Sequence, residues 1–172
     1  MKAIFLSVLL LGSLAAGAQK KYDVSKDKED GSVIYNGACT FGDLDAEQTF
    51  DWFKAGSAGY KPDAAAVTYL KKKLPAYELV VFMGTWCDDS HNLVPKLYKV
   101  LQQSAYPMTQ YTMFGVDKQK TTKNSEHLKY KITLVPTIIL LKDHEEVGRI
   151  TESVDKSVED DLESIIKGEA KK

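Results

Sequence analysis

The chain has 172 residues, with 23 Lys and Arg against 24 Asp and Glu for a net charge of −1. That length suits one domain with its own core, and the near-neutral balance gives no electrostatic reason to expect nucleic acid or an anionic membrane as partner. The two cysteines, Cys39 and Cys87, are too few for a disulfide scaffold and allow a single intramolecular pairing.

The first residues, Met1-Lys2-Ala3, precede an apolar stretch from Ile4 to Leu14 and then Ala16-Gly17-Ala18. A basic start, a short apolar run and a small-residue cleavage site are the pattern of a secretory signal peptide, expected over residues 1–18 with the cut after Ala18. The run is shorter than the roughly 20 residues a bilayer core requires, so no membrane anchor is expected after cleavage. The protein is accordingly expected to be periplasmic or secreted, where a disulfide is permitted. Residues 19–31 are charged with one aromatic, Tyr22, and read as a flexible leader. A single domain is expected over 32–168, made of an N-terminal extension (32–76) and a core (77–168), with a tail at 169–172.

In the extension, Ser32 to Asn36 reads as a short strand ending at Gly37, and Thr40-Phe-Gly-Asp43 resembles a capping box that opens a short helix toward Phe53. Ala55-Gly-Ser-Ala-Gly59 reads as a loop. Pro62 suits the first turn of a helix running to Lys73 with Ala66, Val67, Leu70 and Leu74 on its apolar side, and Pro75 ends it.

The core begins with Leu79-Val80-Val81-Phe82-Met83, an apolar, β-branched run of the length of a buried strand, broken by Gly84. After Trp86-Cys87-Asp88-Asp89-Ser90, apolar Val94, Leu97, Tyr98 and Leu101 fall on one helix face. Cys87 therefore sits where a strand hands over to a helix. The N–H groups and positive dipole end of that helix favour the reactive thiolate, while Asp88 and Asp89 oppose it; the sequence leaves the balance open. The alternative is a buried, inert cysteine. Beyond the helix, Tyr111 to Val116 reads as a second buried strand, Asp117 to Asn124 as loop, and Ser125 as the cap of a short helix to Tyr130. Thr137–Leu141 and Val147–Thr151 are hairpin strands about Asp143-His144, and a helix from Ser157 buries Val158, Leu162, Ile165 and Ile166 before Gly168.

Trp-Cys-x-x closing a buried strand and opening a helix resembles the thioredoxin superfamily. Pro95, eight residues after Cys87, Tyr130-Lys-Ile-Thr-Leu-Val-Pro136-Thr137 and the turn at Lys142-Asp-His-Glu145 are similar to its helix-kinking proline, its cis-proline segment and the hairpin that follows. The resemblance spans about Tyr77 to Gly168. Gly84-Thr-Trp-Cys-Asp-Asp-Ser90, with Gly148-Arg-Ile-Thr-Glu-Ser153, is similar to exported thioredoxin-family proteins of Bacteroidetes type. The resemblance implies a thioredoxin-like three-layer α/β/α sandwich with a mixed sheet, here with a strand and two helices added at the N-terminus.

Two positions depart from the family pattern. Ser90 stands where a dithiol member has its second cysteine, giving a monothiol Cys-x-x-Ser motif, and Val81 stands where the family buries an aspartate. A dithiol cycle at one site is unavailable, and an intermediate on Cys87 persists until an external thiol releases it. Such a site suits thiol-disulfide exchange or isomerisation; a lapsed redox role in a retained fold is the plainer reading.

Cys87 is the expected nucleophile and Ser90 its hydrogen-bond partner. Val135 and Pro136 are the expected substrate ledge, offering backbone groups to an extended chain, and Trp86 the apolar lid beside them. His91, one turn after Cys87, can relay a proton or is a solvated surface histidine. Cys39 can resolve a mixed disulfide or is a small buried residue. Cys87, Asp88, Asp89 and His91 mix soft and hard ligands without a recognised spacing, so no metal is expected, and no cofactor. Expected partners are thiol- or disulfide-bearing proteins or small thiols. The alternative is a non-catalytic binding module that holds an extended partner peptide at the Trp86 and Pro136 surface.

Overall fold

The computed structural model describes residues 21–169. The signal peptide expected over 1–18 lies outside the described residues, as do the first residues of the leader and the end of the tail. In chain order the elements are β1 (Tyr22–Lys26), β2 (Val33–Cys39), α1 (Phe41–Ala46), α2 (Asp51–Gly59), α3 (Ala64–Lys73), a 3₁₀ turn (Leu74–Ala76), β3 (Glu78–Met83), α4 (Asp88–Gln103), β4 (Tyr111–Gly115), α5 (Glu126–Lys129), β5 (Thr137–Lys142), β6 (Glu145–Thr151) and α6 (Val158–Glu169). The strands form one mixed sheet in the order β1-β2-β4-β3-β5-β6. Only β3 and β4 are parallel; the other neighbours are antiparallel.

Alternation along the central strands sorts the core into two faces. Val81 and Met83 of β3, Met113 of β4 and Ile138 and Leu140 of β5 point to one face, where they pack with Leu44, Phe53, Leu70, Leu97, Leu101 and Leu162. The helices α1, α2, α3, α4 and α6 thus share that side. Val80, Phe82, Phe114 and Ile139 point to the other, against Val116, Ile132, Val135 and Tyr130. This second cover is the 116–135 segment, whose α5 has four residues and buries none of them. The two outer layers of the α/β fold are therefore unequal.

The extension differs from the sequence reading in three places. Residues 22–26 of the expected leader form an edge strand. Tyr22 is its one buried residue; its ring stacks on Tyr35 at 4.4 Å and its hydroxyl donates to Asp43 at 3.0 Å. A strand that buries one side chain in five has the composition of a tail, and its order comes from pairing with β2. The segment 55–59 is the second half of α2, where small residues let α2 approach α4: a Cβ on Gly56 would lie 2.9 Å from Pro95 Cβ. Finally, α3 starts at Ala64 with Asp63 as cap, its carboxylate accepting the N–H groups of Ala65 and Ala66 at 2.9 Å each. Pro62 lies outside the helix.

The extension is fastened to the C-terminal helix through Glu159, which is 2% exposed. Its carboxylate accepts the Tyr60 hydroxyl at 2.7 Å and the Asp63 N–H at 2.9 Å. Burial and this carboxylate push the Tyr60 phenol well above its ordinary range, so it remains a donor. Glu159→Ala removes the acceptor shared by the half-buried Tyr60 hydroxyl and the Asp63 N–H and is expected to lower the unfolding free energy by about 2 kcal/mol, read from denaturant melts. Among the described residues no helix is long and apolar enough to cross a membrane.

Candidate functional site

The site is built where β3 ends. Gly84 leaves no room for a side chain, since a Cβ there would sit 2.8 Å from the Trp86 indole. The chain can therefore turn back on itself: Gly84 C=O accepts the Cys87 N–H at 3.1 Å, and Gly84 N–H donates to Ser90 Oγ at 3.1 Å. Thr85 is buried, and its hydroxyl donates to Val33 C=O at 2.7 Å while accepting the Tyr35 N–H at 3.1 Å. The turn is thereby tied to β2 of the extension. Trp86, half-buried, donates its indole N–H to Val116 C=O at 2.9 Å.

Cys87 caps α4 in an extended conformation and is half-buried. Its thiol donates to Val135 C=O at 3.4 Å. The next peptide bond, Val135–Pro136, is cis. The three carbonyls of this ledge all have partners: Leu134 C=O accepts the Thr137 hydroxyl at 2.8 Å, Val135 C=O the Cys87 thiol, and Pro136 C=O the Glu152 N–H at 2.7 Å. Asp88 and Asp89, the next two residues, are exposed.

His91 Nε2 lies 2.8 Å from Thr85 C=O. A carbonyl only accepts, so Nε2 carries the proton. Its ring stacks on Trp52 at 4.3 Å, and Nδ1 faces Asp88 at 3.8 Å. Its free edge thus addresses a carboxylate.

The thioredoxin family model matches residues 68–167, more than half of the 172-residue chain. The chain belongs to the thioredoxin family. Among solved structures, mitochondrial thioredoxin 3 from Saccharomyces cerevisiae is 24% identical, covering 59% of this chain and 89% of its own, with a TM-score of 0.38. The Schistosoma mansoni thioredoxin pre-protein is 27% identical over 63% of this chain and 93% of its own, with a TM-score of 0.39. A protein of unknown function from Pseudomonas aeruginosa is 14% identical over 78% of this chain and 76% of its own, with a TM-score of 0.44. No curated protein matches.

In this thioredoxin-family chain Cys87, Trp86, Val135 and Pro136 come together at one end of the sheet, but two expected roles change. Ser90 is fully buried, and the hydrogen bond of its hydroxyl is with the Gly84 amide and not with Cys87. At the third position of α4 its side chain points back under the turn, where it satisfies the amide at the strand's end. Cys39 does not approach Cys87. It packs among the helices on one face of the sheet, whereas Cys87 packs on the other. Its strand is two positions from β3 in the sheet, about 10 Å at the usual strand spacing, beyond the roughly 7 Å between Cα atoms that a disulfide can bridge. Both cysteines are free, and burial pushes the Cys39 thiol up to about 12.

At the ledge Val135 is 3% exposed and Pro136 is buried, while Leu134 just before them is 36% exposed. Trp52, Thr85 and Tyr35, which brace the turn, were not legible as site residues. Trp52 lies on a helix hidden by small residues, and Thr85 and Tyr35 meet only through the β2–β4–β3 order of the sheet. Among the described residues no group of three His, Cys, Asp or Glu side chains is placed to hold a metal ion.

Proposed function

We propose that this chain is an exported, monothiol member of the thioredoxin family that carries out thiol-disulfide exchange through Cys87. The observation that carries the reading is the placement of a half-buried, unpaired sulfur at the start of α4, against Val135 and beside Trp86. Export rests on the composition of residues 1–18. The thiolate of Cys87 attacks one sulfur of a partner disulfide, a mixed disulfide forms, and the other partner sulfur leaves as a thiolate that takes up a proton. Ser90 cannot attack the new bond, so an external thiol completes the exchange by displacing Cys87. The donors are thiol- or disulfide-bearing molecules, and no cofactor is called for.

The test is to express the full chain, quench with acid, alkylate free thiols and identify what is disulfide-linked to the protein. Adducts are expected on Cys87, removed by reductant and missing from Cys87→Ala, with Cys39 unmodified. A non-catalytic module holding an extended partner at Trp86 and Pro136 instead retains its partners in Cys87→Ala, and that result overturns the exchange reading.

A further inference from the structure

This inference deepens the exchange reading and rests on it. We propose that His91, braced by Trp52 of the N-terminal extension, is a positioning residue for Cys87: it fixes the peptide unit between Thr85 and Trp86, and through that unit the placement and reactivity of the sulfur.

The Cys87 N–H donates to Gly84 C=O at 3.1 Å, so residues 84–87 form a β-turn whose middle peptide is Thr85–Trp86. The middle peptide is the one that can reverse, because its two orientations separate type I from type II turns while the closing hydrogen bond is kept. The reversed form asks for positive φ at Trp86, which Trp86 does not adopt here. What holds the observed orientation is His91. Helical side chains lean toward the N-terminus, and His91, four residues after Cys87, reaches back to the turn and donates Nε2–H to Thr85 C=O at 2.8 Å.

The ring is itself held in place. Trp52 of α2 stacks on it at 4.3 Å with 18° between the planes, and Trp52 packs in turn on Phe50 and Phe53, both buried. Only 27% of the His91 side chain is exposed. Of the partners that face the ring, Asp88 of α4 carries charge, and Trp52 of α2 and the Thr85 carbonyl carry none. The single proton of the neutral imidazole is committed to Thr85, which makes His91 a clamp in place of a proton relay. Thr85 is held from its side chain as well, by Val33 C=O and the Tyr35 N–H of β2. Both holds come from residues 33–52, ahead of residue 68 where the family match begins. The extension thus completes the turn that carries Cys87.

A thiolate at a helix start is stabilised by the amides and dipole it faces. Without the imidazole N–H, the partial negative charge of the Thr85 oxygen is left uncovered two residues before Cys87, and the turn samples both orientations. The sulfur then spends less time aligned with the helix start. Both effects disfavour the thiolate.

The experiment follows iodoacetamide alkylation of Cys87 in the full chain from about pH 5 to 10, with Cys39 read separately by peptide mass. His91→Phe keeps a ring for Trp52 and removes the donor; His91→Gln keeps a donor at the reach of Nε2. In His91→Phe the midpoint of the rate profile is expected to rise by about half a unit and the rate below it to fall about threefold, with no fall in the high-pH plateau. His91→Gln restores most of the midpoint, and Glu159→Ala lowers Tm without moving it. Trp52→Leu shifts the midpoint in the same direction in the wild-type chain and adds nothing to His91→Phe; it also gives the reading should His91→Phe not fold. A midpoint unmoved in both His91→Phe and Trp52→Leu, or moved equally in His91→Phe and His91→Gln, overturns the positioning role. Exchange with 2-hydroxyethyl disulfide, measured on the same proteins, separates the two readings. Its absence in the wild-type chain overturns exchange at Cys87, while a shifted alkylation midpoint in the variants still sustains the clamp.

Discussion

Ser90→Cys is expected to convert the site into a dithiol that clears its own mixed disulfides. Position 90 lies three residues after Cys87 on the first turn of α4, a spacing at which two Cα atoms fall within the range a disulfide spans. A thiol held there attacks the Cys87 sulfur intramolecularly, and release of a bound partner should accelerate by on the order of a thousandfold or more over release by a dilute external thiol. Two consequences limit the variant. The Ser90 hydroxyl now accepts the Gly84 N–H at 3.1 Å, and a sulfur replaces it as a poorer acceptor, at about 1 kcal/mol of stability. The neighbouring strand offers Val81, fully buried among aliphatic side chains, and so no acceptor for the new thiol's proton. The measurement is the lifetime of a purified Cys87 mixed disulfide, with loss of two hydrogens from the intact mass after release. An unchanged lifetime would mean that the two sulfurs are not within reach and that the turn is built differently.

Gly115→Val is expected to loosen the extension from the core. A Cβ at this position would lie 2.4 Å from Tyr35 C=O and 2.9 Å from its carbonyl carbon. Both are backbone atoms of the adjacent strand, so no side-chain rotation relieves the contact; β2 must move away from β4. The pairing of Gly37, Ala38 and Cys39 with Gly115, Phe114 and Met113 would be strained along its whole length, at about 3 kcal/mol or more. For a chain of this size that corresponds to a fall in Tm of roughly 10 °C. The effect should reach the site, because the Tyr35 N–H and Val33 C=O that hold Thr85 belong to the displaced strand. A higher rate of Cys87 alkylation is therefore expected alongside the lower Tm, whereas Glu159→Ala loosens the extension at its far end and should leave that rate near wild type. An unshifted Tm for Gly115→Val would show that the β2–β4 pairing is not as tight as described.

The core half of the fold was legible because its elements state their burial locally. Strands β3 and β5 are continuous apolar runs, α4 repeats apolar residues at helical spacing, and Gly84 marks the junction between strand and helix. The extension was less legible. Strand β1 buries Tyr22 alone, and the small residues of α2 have the composition of a loop while serving as the surface on which Pro95 rests. Local pattern carries no signal for either, since each is ordered by a partner distant in sequence.

The same division runs through the site. From the order of the amino acids alone it follows that a single thiol, Cys87, stands between a buried strand and a helix, that Ser90 supplies no second thiol, and that two carboxylates, Asp88 and Asp89, come next in the chain. These are facts of residue identity and short-range spacing. The assembled sheet sets the rest: Ser90 serves the Gly84 amide, Cys39 lies on the opposite face of the sheet, Trp52 supports His91, and the Cys87 thiol reaches the Val135 carbonyl. Each depends on how strands order themselves and which way side chains point once the sheet is assembled. That outcome is set by pairing and packing between segments up to about a hundred residues apart, as between Tyr60 and Glu159, and no local window of the chain contains it.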